Sequence, residues 1–260
     1  MLRVEGDARH SADDTLAVEE PLEIRVLAAG RSVTVAVTMR TPGHDPELAV
    51  GFLHNEGVLL RRGDLVGVEQ GAAGENRVFV SLAGEAPPLD RLERHFFTTS
   101  ACGVCGKAGL ETLELEGHRP LPPGPVVPRK VILGLPDRLR AGQGLFHATG
   151  GLHAAALFTA GGERVAVRED VGRHNALDKL VGWGLLAGRL PFADGVLLVS
   201  GRTSYELVQK ALAARVPVVC SVSAPSSLAV EVAERFGITL VGFLRGDRFN
   251  VYSAPERVGP

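Results

Sequence analysis

Apolar and polar residues alternate through "LEIRVLAAGRSVTVAVTM" (22–39) on either side of Gly30, which predicts a β-hairpin. In "HDPELAVGFLHNEGVL" (44–59) the apolar positions take helical spacing, with Asp45 placed to cap, Pro46 in the first turn and Gly57 as the stop. "LVGVEQGAAGENRVFVSL" (65–82) reads as a second hairpin. From Gly84 to Pro128, Pro and Gly are frequent and periodicity is lost, so a long irregular segment is expected there.

Beyond Arg129 the pattern changes to elements of alternating type. "RKVILGLPDRLRA" is helical, "LHAAALFTAGGERVAVRED" a hairpin turning at Gly161 and Gly162, and "RHNALDKLVGWGLLAG" helical again. "GVLLVSG", "SYELVQKALAA", "VPVVCSVS", "SLAVEVAERFG" and "ITLVGFLRG" follow as strand, helix, strand, helix and strand. Continuous Val, Leu and Ile runs between amphipathic helices predict a largely parallel sheet covered by helices. The expected division is a polar leader over 1–20, an α+β region with β-hairpins over 21–92, a cysteine-bearing loop region over 93–128 and an α/β domain over 129–260. Cys220, inside "VPVVCSV", reads as a buried strand residue, and Trp183 as core.

Composition narrows the function classes. With 45% hydrophobic residues in 260 the chain can bury a sizeable core, and 28 basic against 30 acidic side chains give no polyanion-binding surface. Nucleic acid is therefore not an expected partner. No apolar run reaches the roughly 18 residues that span a bilayer, and the charged start "MLRVEGDARHSADDT" is unlike a signal peptide. A cytoplasmic protein without a membrane partner is the expectation. Three cysteines are too few for a disulfide scaffold.

Two of them, Cys102 and Cys105, stand two residues apart in "TTSACGVCGKAG". A structural zinc site needs four ligands, and no second close pair exists, so His95, His118, His147 and His153 would have to complete one by folding together; no structural metal is expected. Zinc nucleobase deaminases carry an H-x-E segment to which "GLHAAAL" is similar, but Ala155 stands where their glutamate would be. A thioredoxin-like pair opens a helix after a strand, whereas this one sits among glycines. Lys107 and local N–H groups suit a thiolate, the species that attacks sulfur, and a presented loop suits sulfur transfer through a persulfide.

Three further segments follow strands, where open α/β sheets gather ligands. In "LLVSGRTSYE", Thr203 and Glu206 have capping-box spacing, and Arg202 beside Ser200, Thr203 and Ser204 keeps a phosphate site open. "VSAPSSLAVE" places Ser226 and Ser227 at a helix start, where capping explains them equally well. "VGFLRGDRFN" sets Arg245, Gly246, Asp247 and Arg248 in a turn behind Phe243, either a solvated turn or a place where arginines meet phosphates and Asp247 a guanine edge. In "REDVGRHNALDKL", Asp170 is a candidate cap, and Asp178 lies one helical turn from His174, placed to orient the imidazole; a satisfied structural histidine is the competing reading.

Taken with "GGLHAAALF", "REDVGRHNALDKLVG", "VSGRTSYELVQKA", "SLAVEVAERFGITLVGF", "RGDRFNVYS" and "ELAVGFLHNEGVL", the cysteine segment resembles the formate dehydrogenase accessory sulfurtransferases, the FdhD family, in ordered blocks from about residue 20 to 253. The resemblance implies a cytidine-deaminase-like mixed sheet with helices on its faces, without deaminase chemistry. It implies that a cysteine desulfurase passes sulfur to Cys102, assisted by Cys105, and that the sulfur goes to a molybdenum or tungsten bis(molybdopterin guanine dinucleotide) cofactor destined for formate dehydrogenase. The guanine dinucleotide end, with GDP as a mimic, would meet Phe243, Leu244, Arg245, Gly246, Asp247 and Arg248. Asp247 departs from the family pattern. A homodimer is implied as well. The rival readings are a thiol-disulfide oxidoreductase and a non-enzymatic cofactor chaperone.

Overall fold

A computed structural model describes residues 1–72, 74–84 and 117–260. The expected polar leader contains a hairpin, β1 (Leu2–Glu5) against β2 (Ala8–Ser11), exposed throughout. With no buried face it leaves no apolar alternation in the sequence.

The first hairpin forms as predicted, β3 (Glu20–Ala28) against β4 (Arg31–Arg40). Helix α1 (Asp45–Asn55) follows, one residue displaced from the expected start. His44 is its N-cap, in a left-handed conformation without a side-chain cap bond, and Asp45 is the first helical residue. The Asp45 carboxylate instead takes a two-pronged bond from Arg40, at 2.9 Å on each side, in a buried pair. A guanidinium matches a carboxylate better than a backbone N–H does.

The second hairpin is β5 (Leu65–Gln70) and β6 (Arg77–Leu82), and β3 pairs parallel with β6 to complete a sheet of order β4-β3-β6-β5. Leu22, Ile24 and Val26 of β3 and Val78 and Val80 of β6 bury one face against Leu48, Val50 and Leu53 of α1.

After β7 (Val127–Pro128) come α2 (Arg129–Arg140) and a short α3 (Gly144–Thr149), the latter absent from the periodicity reading because its six residues bury no side chain. Then follow β8 (His153–Thr159), β9 (Arg164–Asp170), α4 (Arg173–Leu186), β10 (Gly195–Val199), α5 (Tyr205–Ala213), β11 (Val218–Ser221), α6 (Ser227–Phe236), β12 (Thr239–Arg245) and β13 (Arg248–Ser253). β14 (Val258–Gly259) returns to pair with β7.

The mixed sheet runs β13-β12-β11-β10-β8-β9. β10, β11 and β12 are parallel, and β8, β9 and β13 extend them antiparallel. Strand alternation divides its side chains between two cores. Ala155, Leu157, Leu197, Val199 and Val219 face α4, α5 and α6. Ala154, Ala156, Phe158, Val196, Leu198 and Cys220 face α2. Cys220 is fully buried, as expected, and burial pushes its thiol pKa up to about 12.

Helices α1 and α4 join the two sheets. They touch backbone to backbone: a Cβ at Gly51 would run into the Asp178 carbonyl, and one at Gly182 into the Glu47 carbonyl. Buried charges cross the same seam. Lys210 of α5 bonds Asp178 of α4 at 2.7 Å, and Asn55 of α1 donates to the same carboxylate at 2.6 Å. Burial pushes the Asp178 pKa up against the pull of Lys210. For Lys210 burial acts downward, but the charges of Asp178 and Glu56 outweigh it and the pKa rises. Trp183, expected in the core, is only half-buried; it packs at the core's rim, stacked on Phe192, with the Arg168 and Arg189 guanidinium groups over its ring. Among the described residues no helix is long and apolar enough to cross a membrane.

Candidate functional site at the carboxyl edge of the sheet

The loops that follow β10, β11 and β12 are laced together at one edge of the mixed sheet. Thr203 donates its N–H to the Ala224 carbonyl at 3.2 Å, and the Ser226 N–H donates to the Thr203 carbonyl at 3.0 Å. Phe243 donates to the Ser223 carbonyl at 3.0 Å. The three segments singled out in the sequence thus meet, as the strand-end rule expects.

Their local readings divide. Of its two readings Ser226 takes the cap, its hydroxyl accepting from the Ala229 N–H at 3.2 Å. The capping box at Thr203 and Glu206 is not formed. Helix α5 begins after Ser204, and Glu206 turns away to His174, 2.8 Å from its Nε2. The Thr203 N–H is already taken by the Ala224 carbonyl, so the carboxylate is free to meet the imidazole on the neighbouring helix. The expected His174–Asp178 couple fails for the same reason, since Asp178 faces Lys210 and Asn55. His174 is therefore oriented from α5, with the Ser204 hydroxyl 3.4 Å away. Its bond and the charges beside it hold the Glu206 carboxyl below the usual carboxylate range, although burial opposes this.

Asp170 ends β9 fully buried, and Gly172, not Asp170, is the N-cap of α4. Its carboxylate accepts from the Gly172 N–H at 2.8 Å and pairs with Lys179 at 2.7 Å, so it anchors the helix start from the strand side. Arg202 is exposed.

Phe243, Leu244, Arg245, Gly246, Asp247 and Arg248 form the β12–β13 hairpin, with Arg245 opposite Arg248 and Gly246 at φ +60° in the turn. The register slips between Gly242 and Arg245, and Phe243 takes φ +52°. A bulky residue in the left-handed region is a strained backbone, and such strain collects at binding sites. The slip bulges the half-buried ring outward, where the Arg245 guanidinium lies over it at 5.6 Å. Arg245, Asp247 and Arg248 are exposed. Leu244 is different: its side chain is fully buried among Val127, Cys220 and Val241, so only its backbone is available to a ligand.

At the same edge lies a cleft of about 460 Å³, lined by Leu139, Gln143, Phe146, His153, Ser200 and Val222 among others. Val222 of its lining precedes Ser223, whose carbonyl takes the Phe243 bond. Ser200 holds the strand ends in register, donating its N–H to the Ala154 carbonyl and accepting the Ala154 N–H on its hydroxyl, both at 2.9 Å. His153 Nδ1 lies 3.5 Å from that hydroxyl. Burial, with Arg173 and His174 adding to it, pulls the His153 pKa below its ordinary value, so the ring is neutral at pH 7.

The sequence singled out His153 only as a zinc ligand and passed over Gln143. Two polar residues from separate elements give no periodic signal. Cys102, Cys105, Lys107 and His95 lie outside the described residues. Among the described residues no group of three or more His, Cys, Asp or Glu is gathered as for a metal ion.

The sequence pattern of the FdhD/NarQ family matches residues 17–259. "Sulfur carrier protein FdhD" of Streptomyces coelicolor is 51% identical, over 99% of this chain and 94% of its own. The protein of the same name from Sulfolobus acidocaldarius is 44% identical, over 98% and 96%. In fold, the chain is similar to a crystal structure of a protein described as a formate dehydrogenase accessory protein from Desulfotalea psychrophila. The TM-score is 0.78 at 27% identity, covering 100% of this chain and 97% of that one.

Proposed function

The chain belongs to the FdhD/NarQ family, and from that membership we propose that it is a persulfide-based sulfur carrier serving formate dehydrogenase. The observation that carries the reading is the pair Cys102-x-x-Cys105 in a chain matched over nearly its whole length by relatives named as sulfur carriers. In the proposed cycle the Cys102 thiolate attacks the outer sulfur of a cysteine desulfurase persulfide. The S–S bond there breaks, the desulfurase leaves as a thiolate, and Cys102 holds the persulfide.

Delivery uses the second thiol. The Cys105 thiolate attacks the Cys102 sulfur, a Cys102–Cys105 disulfide forms, and hydrosulfide leaves for the acceptor. A thiol reductant then restores the dithiol. The acceptor is the molybdenum or tungsten bis(molybdopterin guanine dinucleotide), a substrate of this protein. Arg245, Arg248 and the Phe243 ring suit its guanine dinucleotide end, for which GDP is the mimic, because guanidinium groups pair with phosphate and an aromatic face stacks on a base. The working form is proposed to be a cytoplasmic homodimer.

Tracing radiolabelled sulfur from cysteine, through this protein, to the cofactor tests the reading. Label is expected on the cofactor with the native chain and absent with Cys102→Ala. Unchanged transfer by Cys102→Ala would refute the carrier role. Reduction of a disulfide substrate without any sulfur donor would favour an oxidoreductase instead, and cofactor delivery with both thiols removed a chaperone.

A further inference from the structure

Gln143, in the turn between α2 and α3, is only 5% exposed and lines the cleft. Its backbone is satisfied: the N–H donates to the Arg140 carbonyl, and its carbonyl accepts from the His147 N–H, both at 3.1 Å. Its side-chain amide has no hydrogen-bond partner among the described residues. A carboxamide offers two donor hydrogens and two acceptor lone pairs, and buried polar groups are as a rule paired. The Gln143 amide is not among the buried unpaired groups, so its polar atoms open onto the cleft, where a ligand can take up bonds that no described residue makes.

The rest of the lining narrows the ligand. His153 is neutral at pH 7, so it presents one donor and one acceptor. Ser200 accepts from the Ala154 N–H, which leaves its own hydroxyl proton to donate. Leu139, Phe146 and Val222 supply apolar walls. The charge in the lining, Arg140, is exposed and faces Asp137 at 3.7 Å. Neutral hydrogen-bonding groups across an apolar slot suit an uncharged ring better than an anion.

We propose that this cleft binds a flat, uncharged heterocycle whose lactam edge is read by the Gln143 amide, with His153 and Ser200 bonding the ring's other polar atoms. An amide presents N–H and C=O side by side, and a lactam offers the complementary C=O and N–H. The inference rests on the sulfur-carrier reading only for the source of the ring. The cofactor in that reading carries a lactam in its pterin and another in its guanine. Pterin in the cleft would set the metal end of the cofactor at a distance from the β12–β13 hairpin, whereas guanine there would extend the nucleotide site past Phe243.

Titration of the full chain with neopterin, guanosine and purine riboside tests it, using pterin fluorescence for the first and calorimetry for the others. At least one of the two lactam rings is expected to bind about tenfold or more tightly than purine riboside, which lacks the lactam. Stronger binding of neopterin assigns the cleft to pterin, and stronger binding of guanosine to the nucleotide. Gln143→Leu is expected to abolish the preference. Gln143→Glu, which keeps the shape and loses the amide donor, decides the matter if circular dichroism finds the leucine variant unfolded. Equal affinity for all three rings, no binding, or a preference that survives substitution of Gln143 would overturn the proposal. Persulfide loading of Cys102 is a separate measurement: if it fails while the Gln143-dependent preference holds, the carrier reading falls and the cleft assignment stands.

Discussion

The reactivity of Cys220 is set by its surroundings. Cys220 is sealed between α2 and the sheet with its pKa pushed up to about 12, so almost no thiolate forms at neutral pH. Iodoacetamide is expected to leave Cys220 unlabelled in the native protein and to label it in guanidinium; labelling under native conditions would place that strand outside the core. The titrating pair at the sheet edge predicts the acid response. Glu206 has a lowered pKa, chiefly from the His174 bond, so its contribution is full above the ordinary 4.5 and is lost as pH falls through the lower native value. His153, also lowered, favours the neutral ring in the folded state. Its contribution is full above the ordinary 6.5 and declines as pH falls from there towards its native value. Both contributions are lost on acidification, against the opposite pull of Asp178, whose pKa burial raises, and His153→Asn should flatten the urea-midpoint curve just below 6.5. A slope there that His153→Asn leaves unchanged would contradict the burial of His153.

Helix pairing makes a sharper demand. Replacing a mid-helix glycine by alanine normally stabilises by about 1 kcal/mol. At Gly134 in α2 the new Cβ would meet only the tip of Arg138, at 3.8 Å, so Gly134→Ala should raise the melting temperature by about 2–4 °C. At Gly182 it would strike the Glu47 backbone, which cannot rotate aside, and overpacking of about 1–3 kcal/mol outweighs the propensity gain. Gly182→Ala should lower the melting temperature; a rise would mean that α1 and α4 are less closely apposed. The same scale explains what the sequence revealed. Continuous apolar runs such as "GVLLVSG" and "VPVVCSVS" marked buried strands because both of their faces pack. Hairpin β1–β2 and helix α3 went unread because they bury no apolar face. The misassigned partners are long-range: His174 pairs with Glu206 and Asp178 with Lys210, from a helix whose docking no local spacing encodes. Leu244 was drawn into the candidate site by its neighbours in sequence, whereas strand alternation turns it to the core.

At the scale of the molecule, α1 and α4 fasten a hairpin sheet to a mixed sheet whose carboxyl edge carries an arginine-bearing turn and a largely uncharged cleft. The alternating elements made the α/β class readable but pointed to a largely parallel sheet, whereas β8, β9 and β13 pair antiparallel; the resemblance implied the mixed sheet and named the family that the comparisons establish. Gln143 and the cleft were not readable, because they arise only when α2, α3 and three strand ends meet. The proposed function stands or falls with sulfur held on Cys102. Incubation with a cysteine desulfurase and cysteine, followed by mass spectrometry of the peptide containing both loop thiols, tests it most directly. A reducible addition of one sulfur atom on Cys102 is expected, absent from Cys102→Ala and independent of Cys220. A peptide that stays unmodified while the desulfurase turns over, or full loading of Cys102→Ala, would contradict it.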